Sequence, residues 1–322
     1  MHKLIVGVDL GATKILTGLA TTDGRILASV KMPTDCNGLD AKGVLDSICA
    51  GIDRIIMENT VNKDNIKAIV VASPGPLQYP QGIIRGSPNL GWQRVCLKKE
   101  LSNRMQREVL VDKDTNIAAL GEYYYGQDSK YQELLYVTIS TGIGGGIIAN
   151  GQVYHGVNGA AGEFGHMVID PYGPLCNCGR RGCLEALASG TAIAKEANQL
   201  IEKGKGKGIL AVCQPGGNIT AKEVGAAARQ GDAEAKAIIS KAAQYIGIGL
   251  ANLVNIFNPQ MVVLGGGAGI GLKDLLFETI CEVVDKNVFR LHKHDFRMEM
   301  SKLGDQIGIW GCLAAAISAE IS

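Results

Sequence analysis

The sequence predicts an α/β protein built from two related lobes, with mixed sheets flanked by helices. Three observations carry that expectation. Strands alternate with helices along most of the chain. A unit of strand, glycine turn, second strand and hairpin turn occurs twice, once near the N-terminus and again almost halfway along. The 322 residues, 46% hydrophobic and 20% charged, also suffice for two domains with ample cores.

In order, residues 4–9 form a β-rich run ending in Gly11-Ala12-Thr13-Lys14. A second run, 15–21, passes through an Asp23-Gly24 hairpin turn into 25–31. Residues 40–58 have helical spacing, 68–72 and 109–112 read as strands, and 116–123 as a helix entering the second lobe. The plan then repeats. Residues 135–140 are a strand, 141–146 a glycine turn, 147–149 a second strand, and Asn150-Gly151 another hairpin turn. Residues 204–208, alternating Gly and Lys, read as a solvent loop. Thr220-x-x-Glu223 has the form of a capping box before an alanine-rich helix. A further helix, 233–257, stops at Asn258-Pro259 because proline cannot continue it. Residues 261–264 are a strand running into Gly265-Gly266-Gly267.

Composition narrows the function. The net charge of +1 gives no global field that would draw the chain to nucleic acid or an anionic membrane. No uninterrupted apolar run is long enough to span a bilayer, and Asp9 breaks the first one too early for a signal peptide. A cytoplasmic location is therefore expected, with the cysteines reduced. Glycine is abundant, 43 residues against 9 prolines. Its clusters at strand ends predict tight turns where backbone approaches a ligand. Of nine cysteines, six are scattered, while Cys176, Cys178 and Cys183 fall within eight residues, the pattern of a metal site rather than a disulfide framework.

Three glycine turns follow strands, at 9–14, 138–146 and 264–267, with Thr13, Thr138 and Thr141 beside them. Glycine lets backbone N–H groups reach phosphate oxygens, and threonine adds hydroxyl donors, so the set suits a polyphosphate. No Walker A pattern and no Rossmann fingerprint in its proper place is present. His166 with Cys176-x-Cys178-x4-Cys183 predicts a closed tetrahedral zinc shell. Four ligands leave no position for an activated water, so the zinc is expected to hold a loop rather than perform hydrolysis.

Taken together, these pieces resemble the ROK family of sugar kinases and repressors, within the actin-like (ribonuclease H-like) superfamily. The resemblance covers nearly the whole chain. Its matching residues are Asp9-Leu10-Gly11-Ala12-Thr13-Lys14, Ser87-Pro88-Asn89-Leu90, Asp114-x-Asn116-x-Ala118-Ala119 and Thr141-Gly142-Ile143-Gly144-Gly145-Gly146. The most specific block is Gly162-Glu163-Phe164-Gly165-His166-Met167 with Cys176-Asn177-Cys178-Gly179-Arg180-Arg181-Gly182-Cys183-Leu184-Glu185. The resemblance implies two actin-like lobes with ATP and sugar in the cleft between them. The first lobe would be 1–116, completed by a C-terminal helix at 305–322, and the second 117–304. Asp114 would be the general base that takes the proton from a sugar hydroxyl. Asn89, Glu163, His166 and Glu185 would bind the sugar, with His166 also on the structural zinc. Asp9, Gly11, Thr13, Lys14, Thr141, Gly142, Gly265, Gly266 and Gly267 would bind the nucleotide, Asp9 holding magnesium through water. A homo-oligomer, dimer or tetramer, is also implied.

One position departs from the pattern. The family commonly has asparagine before the catalytic aspartate, and this chain has Lys113. An amide donates and accepts, whereas an ammonium only donates. The expected activity is phosphorylation of glucose at its 6-hydroxyl, with N-acetylmannosamine, N-acetylglucosamine or another hexose as alternatives. A non-catalytic sugar-binding module is the rival of another class. The family's repressors carry a helix-turn-helix ahead of the first strand, and with that strand starting at Leu4 a repressor is not expected.

Overall fold

β-Branched runs open the chain as an antiparallel meander of β1 (Leu4–Leu10) and β2 (Lys14–Thr21), buried on both faces, and β3 (Arg25–Pro33), which alternates. These elements are seen in a computed structural model that describes residues 3–34, 41–87, 90–126, 131–214 and 216–321. Helix α1 (Ala41–Glu58) then crosses to β4 (Ile66–Ser73), which pairs parallel with β1. Three short strands, β5 (Leu77–Gln78), β6 (Ile83–Ile84) and β7 (Val95–Cys96), form a small separate sheet. Helix α2 (Leu97–Met105) leads to β8 (Val109–Lys113), parallel to β4, and helix α3 (Asp114–Gly121) follows without a break. The order of the large sheet is β3-β2-β1-β4-β8.

Strand periodicity sorts this sheet into two faces. Val6, Val8 and Leu10 of β1, Ile69 and Val71 of β4, and Val109 and Val111 of β8 share a core with residues of α1 and α2. Ile5, Val70 and Ala72 face the opposite way, against Ile117 of α3 and Cys312 and Leu313 of the C-terminal helix.

The second half repeats the scheme with β9 (Leu134–Ile139), β10 (Ile143–Ala149) and β11 (Gln152–Val153). A run of helices comes next: α4 (Leu184–Ala188), α5 (Gly190–Glu202), α6 (Lys207–Val212), α7 (Ala221–Arg229) and α8 (Ala233–Phe257). Strand β12 (Met261–Gly265), helices α9 (Gly267–Gly271) and α10 (Lys273–Asn287), strand β13 (Arg297–Met300) and helix α11 (Ile307–Ile321) complete the chain. The sheet order is β11-β10-β9-β12-β13, with β9, β12 and β13 mutually parallel. Both sheets therefore carry the same strand order, as the repeated strand–turn–strand unit predicts. Helix α8 is long and apolar enough to cross a bilayer by length and composition, yet 61% of its most apolar window is buried. It packs on α10, α7 and α4 as a core helix.

By contacts the described chain divides into a first unit, Met1–Gln132 with Gly146–Ala161 and Lys302–Ser322, and a second, Glu133–Gly145 with Gly162–Ser301. This differs from the boundary expected at residue 116. Helix α3 stays with the first unit because it packs on α11, where a Cβ on Gly311 would lie 2.0 Å from the carbonyl oxygen of Ile117. Two further expectations are corrected. Residues 141–146 are not all turn: the turn closes by Gly142, and Gly144, Gly145 and Gly146 lie in β10. Bulk is excluded there, since a Cβ on Gly145 would meet the ring of Phe164 at 2.0 Å and one on Gly146 the carbonyl oxygen of Thr115 at 2.3 Å. Residues 204–208 are only partly loop, because α6 starts at Lys207 and Gly206 is buried. Nor do the glycines serve strand-end turns alone. Gly7 and Gly18, in mid-strand, let Cys312 and Ile309 of α11 press onto the sheet.

Candidate functional site

In the first unit, three consecutive polar residues stand where parallel β8 ends and α3 begins, the end of a strand at which α/β sheets place ligands. Asp112 lies on the α3 face and is 7% exposed. Its Oδ1 accepts from the backbone N–H of Lys113 at 2.6 Å and from Asn116 Nδ2 at 3.0 Å. Its Oδ2 accepts from His155 Nε2 at 2.7 Å, which fixes the ring proton on that nitrogen. Asp112 is thus occupied by internal donors. Lys113 points the other way, as strand alternation requires, and its Nζ donates to the carbonyl of Ala161 at 2.7 Å. Asp114 begins α3, half-buried, with Oδ1 accepting from the N–H of Thr115 at 2.7 Å. That bond orients the carboxylate at the helix start.

Also in this unit, the Gly11–Lys14 turn is closed by Gly11 N–H donating to the Lys14 carbonyl at 2.9 Å. Thr34 braces it from outside, its hydroxyl on the Gly11 carbonyl at 2.7 Å and its N–H on that of Thr13 at 3.1 Å. Asp9 stands at the head of the turn with Gly308 of α11 against it, where a Cβ would be 2.6 Å from the carboxyl carbon. Burial pushes the Asp9 carboxyl above its usual range, and the Lys14 ammonium partly offsets this. A half-buried carboxylate beside a single ammonium fits a site that gains from a bound cation.

The second unit brings the other two glycine turns together, because β9 and β12 are neighbours with Thr138 opposite Gly265. Gly266, at φ +84°, lies against the carbonyl of Ile139 and the hydroxyl of Thr138. The Ser140–Gly142 turn is closed by Ser140 N–H on the Gly142 carbonyl at 2.8 Å, and Thr191 Oγ1 donates to the Thr141 carbonyl at 2.8 Å. Glu185, in the first turn of α4, reaches the same loop, its Oε2 accepting from the N–H of Ile143 at 3.0 Å. A Cβ at 142 would sit 2.3 Å from that carboxylate oxygen, so any other residue there would push the Glu185 side chain aside.

Glu163, exposed, precedes the short turn Phe164–His166, which the buried Phe164 ring anchors. From Met167 the chain pairs with the returning cysteine loop: Leu184 N–H donates to the Met167 carbonyl and Ile169 N–H to that of Gly182. This brings the ligand atoms of His166, Cys176, Cys178 and Cys183 within 4.8 Å of one another. Cys176 Sγ is 3.7 Å from His166 Nδ1, and Cys178 Sγ is 3.6 Å from Cys183 Sγ. A disulfide needs about 2.05 Å. Two thiolates on a tetrahedral zinc, at about 2.3 Å each, stand roughly 3.8 Å apart. The donor set and spacing fit zinc, and with Nδ1 turned toward Cys176, Nε2 of His166 faces elsewhere. A hydrogen bond from the Arg180 backbone lowers the Cys178 thiol to about 6, while burial pushes Cys183 up to about 12.

Two glycines shape this loop to different degrees. At Gly182 (φ +69°) a Cβ would fall 1.5 Å from the Asp170 carbonyl oxygen, whereas at Gly179 (φ +87°) nothing lies within 4 Å. Gly179→Ala is expected to cost about 1–3 kcal/mol, the backbone strain alone. Gly182→Ala should cost clearly more and lower the metal content of purified protein. Thermal melts and elemental analysis of both variants check this; equal effects would contradict it.

Asn89 lies outside the described residues, although its flanks are tied by Ser87 N–H donating to the Trp92 carbonyl. Of the other expected residues, Asp9, Gly11, Thr13, Lys14 and Asp114 belong to the first unit. Thr141, Gly142, Glu163, His166, Cys176, Cys178, Cys183, Glu185 and Gly265, Gly266 and Gly267 belong to the second. Sequence reasoning missed His155 and Thr191. A lone histidine past a hairpin and a threonine at a helix start carry no local signal of partners 43 and 50 residues away.

The chain is similar over most of its length to proteins of one family. The ROK family profile matches residues 5–319. The chain is 35% identical over 308 residues to a glucokinase of Halalkalibacterium halodurans, covering 95% of this chain and 92% of that one. It is also 35% identical over 320 residues to a putative xylose repressor of a Caldicellulosiruptor species, covering 98% of this chain and 78% of the repressor. Among solved structures, a ROK family glucokinase from Streptomyces griseus in complex with glucose and AMPPNP aligns with a TM-score of 0.82 at 30% identity, covering 98% and 99% of the two chains.

Proposed function

Because the chain belongs to the ROK family, we propose that it is an ATP-dependent sugar kinase whose best substrate is glucose, phosphorylated on its 6-hydroxyl. The observation that carries the reading is Asp114, a half-buried carboxylate held at a strand-to-helix junction in a chain similar over its length to a glucokinase solved with glucose and AMPPNP. Asp114 takes the proton of the attacking hydroxyl, late in a transfer whose transition state is loose. Glu163, His166 and Glu185 hold the sugar hydroxyls, and the Asn89 position does the same. The glycine turns, with Thr13, Lys14 and Thr141, offer N–H, hydroxyl and ammonium donors to the phosphates. Asp9 would hold magnesium, which supplies charge neutralisation to the phosphates when bound. Zinc, held by His166, Cys176, Cys178 and Cys183, would fix the loop that joins Glu163 to Glu185. Reduced cysteines and ATP as the phosphate donor support a cytoplasmic location in this reading.

A coupled ADP-release assay over hexoses and acetamido-hexoses tests substrate choice. Glucose is expected to give the highest kcat/KM. If N-acetylmannosamine exceeds it by about tenfold, equivalent to about 1.4 kcal/mol of transition-state binding, the glucose assignment fails and the kinase assignment stands.

A further inference from the structure

The residues around β8 form a closed circuit that the catalytic roles leave unused. His155 and Ala161 are the two ends of one loop, joined by Ala161 N–H donating to the His155 carbonyl at 3.1 Å. Each end is gripped by a different residue of the β8 terminus. His155 Nε2 donates to Asp112 Oδ2 at 2.7 Å, and Lys113 Nζ donates to the Ala161 carbonyl at 2.7 Å. On the β8 side the grips are buried, with Asp112 7% and Lys113 4% exposed, while His155 and Ala161 are half-buried. The loop is also seated from one side. The Tyr79 ring stacks on His155 with centroids 3.6 Å apart and planes within 6°, and a Cβ on Gly159 would strike the Leu77 carbonyl oxygen at 2.7 Å.

What this circuit connects gives it a role. Its anchor residues, 112 and 113, directly precede Asp114, and its far end, Ala161, directly precedes Gly162 and Glu163. We propose that Asp112 and Lys113 are positioning residues that clamp both ends of the His155–Ala161 loop, holding the start of the segment that carries Glu163 to the strand end that carries Asp114. Lys113 then serves the sugar through the backbone at Ala161. The role rests on the kinase reading, since Glu163 is a sugar ligand only within it. An ammonium bonded to a carbonyl is a charge-assisted hydrogen bond, shorter and stronger than a neutral one, and so an effective tether. Its loss should loosen the segment leading to Glu163 and leave the base and the nucleotide turns intact.

The test compares wild type, Lys113→Met, which keeps the stem and removes the donor, and Lys113→Arg, which restores a cationic donor. Hydrogen exchange of peptides covering 154–166 is expected to quicken by about tenfold or more in Lys113→Met, with β1 and β12 peptides unchanged. The sugar KM should rise about tenfold, with kcat within about threefold and the ATP KM unaltered, and Lys113→Arg should recover most of both effects. Unchanged exchange over 154–166 overturns the clamp. Faster exchange with an unaltered sugar KM overturns its role toward Glu163, as does a parallel loss of kcat, both KM values and melting temperature. Should Lys113→Met not fold, His155→Phe keeps the stack on Tyr79 and removes only the Asp112 bond, with the same expected outcome. If wild type phosphorylates no sugar, the kinase reading fails while the exchange comparison still decides the clamp.

Discussion

Replacing Asp114 with asparagine is expected to lower kcat by roughly 10²–10⁴-fold while sugar binding persists, the range for loss of a general base. The substitution keeps the shape and the Oδ1 acceptor for Thr115 N–H, so α3 should start where it does now. Its neighbour two residues back is the control. Asp112 has its carboxylate committed to the Lys113 N–H, Asn116 and His155. Asp112→Asn should therefore change kcat far less. Steady-state kinetics with calorimetric sugar binding separates the two. Near-wild-type turnover by Asp114→Asn would remove the base assignment.

The second large effect concerns the metal. Protein purified without added metal is expected to contain one zinc per chain, bound by His166, Cys176, Cys178 and Cys183. Disturbing residues that merely support metal ligands costs about 10–100-fold in metal affinity or activity. Cys178→Ser removes a ligand outright and should lose zinc and exceed that range in activity. Cys178 is exposed, so the substitution leaves no cavity to confuse the result. Zinc absent from wild type, or retained in full by Cys178→Ser, contradicts the site.

Features governed by neighbours along the chain are legible in the amino-acid sequence. The Asn150-Gly151 turn joins paired strands with both residues at positive φ. Thr220 and Glu223 form their capping box, and α8 stops at Asn258 ahead of the proline. The cysteine loop is readable for the same reason, its ligands lying within 18 residues. Features set by distant packing are not. Nothing near Gly7 or Gly18 announces that a helix 300 residues downstream must fit there. Gly144, Gly145 and Gly146 look like a turn by composition, yet they lie in β10, where Phe164 occupies the space of a side chain at 145 and the backbone of Thr115 that at 146. Lys113 stands out as an odd residue by its sequence position, but its use depends on Ala161, 48 positions away.

The most direct test of the central claim is to identify the products of one reaction, purified protein with glucose and magnesium ATP, by phosphorus NMR. Glucose 6-phosphate and ADP in equal amounts are predicted, with neither formed when the sugar is omitted. ADP without a sugar phosphate, or no conversion of any sugar by zinc-loaded, folded protein, would contradict the account.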